Sequence, residues 1–133
     1  MILNQKILGY NITISFFLLI LLLFTSCINI CKNEILTISF SPNEKYKAIA
    51  FIRTCGTTTN FSPQVSILNK NEKFSDNYKG NIFIGNNSDN ISIYWESDTC
   101  LVVLYNVIDK DIFKKNFKYE NIEIKYIHEE TGN

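Results

Sequence analysis

The chain has one histidine among its 133 residues. A single imidazole leaves no histidine pair for a metal centre, and the "HEE" run at His128 offers one ring and two carboxylates with no second cluster. The reading is therefore no metal and no cofactor. The chain also lacks net charge, with 13 Lys and Arg against 13 Asp and Glu. No field steers it toward nucleic acid, and no recognition motif is present. The densest basic run, "FKKNFKY" (Phe113 to Tyr119), reads as the solvated face of a strand. Alanine is confined to "KAIAF", whereas Ile, Phe, Tyr, Val and Thr abound, a composition of strands. No repeat long enough for a propeller occurs.

Against this background one apolar run stands out. "MILNQKILGYNITISFFLLILLLFTSC" carries a single charge, Lys6, then an apolar run from Ile12 to Phe24 that no charge interrupts. That length fits a signal-peptide core better than a bilayer span, which takes about 20 residues. The run ends in "LFTSC", which resembles the bacterial lipobox, with Phe24 where Leu is usual. The resemblance implies lipidation of Cys27, cleavage before it and a mature protein held by acyl chains on the outer face of the cell membrane. The expected organisation is a signal peptide over residues 1–26, a tether over 27–34 and a folded domain over 35–133. The alternative is an uncleaved single-pass anchor over about residues 12–31.

After the tether, alternation sets in. "ILTISFS" places Leu36, Ile38 and Phe40 on one side, and "SPNEKY" is a turn. "YKAIAFIRT" is apolar on both faces and reads as a central strand. "QVSILNK" follows, then "NKNEKFSDNYKGN", a polar connection too rich in Asn and Lys to pack. "NIFIG", "ISIYWE" and "CLVVLYN" are further strands, and "FKKNFKY" with "IEIKYIH" reads as a hairpin turning at Glu120 and Asn121. Helical character after the leader is confined to one short turn in "VIDKDIFKK". About seven or eight short strands define an all-β domain, an antiparallel sandwich, barrel or twisted meander, with Trp95, Phe51 and Tyr105 in its core.

"SP…KYKAIAF.RTCGTTTNFS..VSI" (Ser41 to Ile67), followed in order by "GNIFI", "WESDTCLVVLY" and "IFKK…IEIKY", resembles a family of small uncharacterised extracytoplasmic proteins of low-GC bacteria. Many of its members carry lipobox-type leaders. The family is a domain of unknown function with a Cys-Gly-x-Thr-Thr motif, so the resemblance implies topology and location without catalytic residues. Its pattern places an acidic residue before the cysteine, where this chain has Thr54.

The "CGTTT" run itself reads as a polar corner. Gly56 allows an unusual backbone angle, the threonine hydroxyls bond turn groups and Pro63 closes the corner. Thr57, Thr58, Thr59, Asn60 and Phe61 then form a candidate recognition loop for a protein or glycan partner. The competing reading makes Cys55 the nucleophile of a thiol-dependent or hydrolase-like enzyme, with His128 as its base. With Cys27 lipidated and Cys31 near the membrane, Cys55 and Cys100 are the candidate disulfide pair. The function expected is an exported, membrane-anchored, non-catalytic binding or envelope-associated module.

Overall fold

The computed structural model describes residues 2–24, 30–56 and 60–130. Cys27 and the threonines Thr57, Thr58 and Thr59 lie outside the described residues. Helix α1 spans Ile2–Phe24. Phe16 and Phe17 are 65% and 69% exposed, as are most of the apolar side chains from Ile2 to Leu19. Polar Asn4, Gln5, Lys6 and Asn11 occupy its first half. Among the described residues no helix is long and apolar enough to cross a membrane.

The rest is strand and turn. β1 (Cys31–Phe40), β2 (Tyr46–Cys55), β3 (Ser62–Asn69), β4 (Phe83–Gly85) and β7 (Ile112–Lys115) form one sheet in the order β1-β2-β3-β4-β7. β5 (Ile91–Ser97), β6 (Cys100–Tyr105), β9 (Ile122–His128) and β8 (Lys118–Tyr119) form a second, in the order β5-β6-β9-β8. Both sheets are open, so the fold is mostly β in two layers and the closed-barrel option falls away.

Three expectations are corrected here. β1 starts at Cys31, so residues 31–34, read as tether, are strand. The expected "FKKNFKY" hairpin is split. Ile112–Lys115 joins β4 in the first sheet, and only Lys118–Tyr119 turns back on β9. Because the chain visits the first sheet between β6 and β9, those two strands pair in parallel. Parallel neighbours need a long crossover, and residues 106–121 supply it. The helical turn read in "VIDKDIFKK" is present as a single 3-10 turn at Asp109–Asp111.

The main core lies between the sheets. Ala48, Ala50, Ile52, Val65, Ile67 and Phe83 of one sheet meet Ile93, Leu101, Val103, Tyr105, Ile122 and Ile124 of the other. β2 buries its second face too, as its uniform apolarity requires. Ile49 and Phe51 point to the outside of the first sheet, where Phe74 and Tyr78 cover them together with Leu68. Phe51 therefore belongs to a separate outer core. The connection over residues 70–82, expected to stay unpacked, is a strap across the sheet. Its polar residues serve as fasteners. The Arg53 guanidinium donates to Asn33 Oδ1 at 2.8 Å and to the carbonyls of Asp76 and Tyr78 at 2.7 and 2.9 Å. Asn81 mimics a strand residue, accepting from the Ile67 amide and donating to its carbonyl at 2.8 and 2.7 Å. Gly80 sits so close to Phe83 that an added Cβ would stand 2.2 Å from the Phe83 carbonyl oxygen. Only glycine fits there.

The free edge of β1 is closed off rather than left open. A bulge falls between Ile35 and Thr37. Asp76 accepts from the Asn33 amide at 2.8 Å, and Trp95 Nε1 donates to the Ser39 carbonyl at 3.0 Å. Bulges and side-chain caps are the usual protection of an edge against another chain. Trp95 is accordingly half-buried, a clamp between the sheets.

Candidate functional site

Asn60 and the loops over residues 86–90 and 106–111 meet at one end of the domain. Their common feature is a shortage of apolar side chains and a surplus of amides. Asn87, Ser88, Asp89, Asn90, Asn106, Ile108 and Asp111 line an open cleft of about 710 Å³. Asn87 takes a left-handed backbone, φ 57°, which Asn tolerates better than most residues. That conformation turns the loop, and the Asn90 amide then donates to Ser88 Oγ at 3.2 Å. The opposite wall is held by the 3-10 turn, where the Asp111 amide donates to the Ile108 carbonyl. Among the described residues no cluster of His, Cys, Asp and Glu can hold a metal ion. Amides, a hydroxyl and two carboxylates around one isoleucine suit a neutral, hydroxyl-rich ligand.

Of the recognition loop expected from the sequence, Asn60 reaches this cleft. Asn60 Nδ2 donates to Asn87 Oδ1, and Ser62 Oγ donates to the Gly85 carbonyl at 2.7 Å. Phe61 is 55% exposed. Gly56, φ 86°, makes the turn that the corner reading required. Pro63 does not close that corner. It lies inside β3 opposite Ile52, at a point that β4 does not reach, so its missing N–H breaks no ladder bond on that side.

The cysteines are arranged differently from the expectation. Cys55 is bonded to Cys31, its direct neighbour across the β1–β2 ladder, with α-carbons 3.9 Å apart. The Cys55–Cys100 pairing is wrong because β1 extends back to Cys31, while Cys100 starts a strand of the other sheet. Cys55 thus carries no free thiol here, as a nucleophile would need. His128, its candidate base, packs edge-on against the Tyr105 ring at 5.2 Å and is exposed at the strand end.

Cys100 is a buried free thiol. Burial pushes its pKa up, and the hydrogen bond it donates to Glu96 Oε2 at 3.2 Å adds to the shift. Glu96 also pairs with Lys125 at 2.6 Å, which holds its carboxyl below the usual range. A thiol raised in this way stays protonated at pH 8, and the thiolate is the reactive form. Iodoacetamide at pH 8 should therefore leave Cys100 unmodified in the folded protein and alkylate it in urea. Rapid labelling without denaturant would contradict this placement.

Sequence reasoning singled out none of the cleft residues as a binding surface. Asn106 and Asp111 reach the cleft through the crossover between β6 and β9. The fold and this cleft define a small two-sheet β domain with a polar loop end. The family model described as a family of unknown function (DUF5412) matches residues 1–129, and the chain belongs to that family. No curated protein and no solved structure matches the chain.

Proposed function

We propose that the protein is an exported, lipid-anchored, non-catalytic binding module, anchored through Cys27 and presenting the cleft and the loop that ends in Asn60 and Phe61 to a hydroxyl-rich glycan. The observation that carries this reading is the pairing of an apolar α1, exposed from Ile2 to Leu19, with a domain whose first strand is fixed by a disulfide. Disulfides persist in oxidising, extracytoplasmic surroundings. An apolar helix exposed all round is suited to lipid rather than to water. Two acyl chains on Cys27 would then hold the domain at the bilayer, at about 0.8 kcal/mol per buried methylene.

Metabolic labelling with a palmitate analogue, followed by mass spectrometry of the amino terminus, tests the anchor. The expected result is label on the wild type, none on Cys27→Ala, and accumulation of the Cys27→Ala precursor. An unlabelled wild type with an intact leader would sink the reading. The ligand is tested separately by co-sedimentation with insoluble polysaccharides. Asn90→Ala with Asn106→Ala should reduce the bound fraction at least about fivefold, roughly 1 kcal/mol, the worth of one or two hydrogen bonds.

A further inference from the structure

The outer edge of β9 carries side chains that fit a second copy of themselves. β8 covers only its start, pairing Lys118 with Glu123 and Tyr119 with Ile122. The Ile124 amide donates to the Phe117 carbonyl at 3.0 Å, and there the cover ends. By alternation, the backbone groups of Tyr126 and His128 point to the same side as those of Ile124. Among the described residues neither has a backbone partner on that side. Glu123, Lys125, Ile127 and Glu129 turn their backbone toward β6, as the bonds from the Glu123 and Glu129 amides to Thr99 and Tyr105 show. Their side chains lie on the outer face of the sheet.

We infer that two copies of this chain associate through antiparallel β9–β9 pairing about a twofold axis at Ile127. An isologous pairing must match residues symmetrically about its axis, so each choice of axis fixes every contact. An axis at Lys125 sets Lys125 against Lys125. An axis at Tyr126 sets Lys125 against Ile127 and Glu123 against Glu129. With the axis at Ile127, Lys125 of each copy meets Glu129 of the other, twice, and the Ile127 side chains, 46% exposed, meet each other. Tyr126 then stands opposite His128, with the amides and carbonyls of both, which have no backbone partner on that side among the described residues, facing across the gap. Roughly four backbone hydrogen bonds result. Cross-strand charge pairs and apolar pairs of this kind favour one register over its neighbours. Lys125 keeps Glu96 on its other side, so it is flanked by two carboxylates rather than by a second cation. The β1 edge, which carries a bulge and two caps, has no comparable opening.

Disulfide trapping of the full-length protein in its own membrane tests this. Ile127→Cys places a thiol on the axis. Under mild oxidation it should give a reducible band at twice the monomer mass, at least about tenfold above wild type and above Ser92→Cys, which lies on the same sheet face away from the axis. Lys125→Glu in the Ile127→Cys background should suppress the band, and adding Glu129→Lys should restore it by exchanging the charges. His128→Pro removes an edge amide that the single subunit does not use. It should abolish trapping while leaving the thermal melt unchanged. Trapping of Ile127→Cys no stronger than of Ser92→Cys, or indifference to both charge changes, would overturn the inference.

Discussion

Phe51→Ala is expected to destabilise the domain by about 3–4 kcal/mol, as large as a truncation in the main core, although the ring lies outside the space between the sheets. The Phe51 ring is fully buried and meets Phe74 edge-on, with centroids 4.9 Å apart, and Tyr78 stacks next to Phe74 at 5.5 Å. The strap holding those rings is itself fixed through Arg53, so the cavity left by Ala has little freedom to collapse. Phe74→Ala should cost less, about 2–3 kcal/mol, because that ring is only half-buried. The double variant should lose less than the sum, because each truncation already removes the shared contact. Urea unfolding of the four proteins measures the cycle. Strict additivity, or a Phe51→Ala cost below about 1 kcal/mol, would mean that the strap is a loose covering and not a second core.

Removing the disulfide is expected to cost about as much, by another route. Cys31 and Cys55 are 24 positions apart, and cross-linking a loop of that size restricts the unfolded chain by roughly 3.5 kcal/mol in the chain-entropy model. For a domain of this size that corresponds to a fall in Tm of roughly 15–25 °C. Cys31→Ser with Cys55→Ser, compared with wild type by calorimetry, gives the number. The loss should be uneven in space. β1 is an edge strand with a bulge at Ile35–Thr37, so apart from its ladder to β2 its first residues are held through Asn33 alone. Hydrogen exchange should show lost protection from Lys32 to Ile35 while β2 and β3 stay protected. Unchanged protection there would assign the bond a smaller part than its position implies.

Several features were legible in the sequence because they depend on neighbours along the chain. The period-2 alternation in β5 and β9, the doubly apolar run in β2, the turns at Pro42–Lys45 and Glu120–Asn121, and the left-handed Gly56 all follow from local sterics and from which face meets water. The mostly β class followed from the same signals. The start of β1 was not legible. Nothing in "CKNE" looks like a strand until Arg53 and Asp76, distant in sequence, supply partners for Asn33. The disulfide was misread for that reason, since pairing depends on which α-carbons the sheet brings together.

The sequence by itself determined an apolar amino-terminal segment, a chain of short strands and a left-handed turn after Cys55, because hydrophobic period and turn chemistry act over a few residues. Tertiary structure alone decided that Cys31 faces Cys55, that an Asn-rich and Lys-rich connection becomes a packed strap, and that β6 and β9 run parallel across a crossover. It also brought residues of the 86–90 and 106–111 segments into one cleft. Those outcomes turn on contacts between residues far apart in the chain, and long-range contacts are fixed only when both sheets bury their apolar faces together.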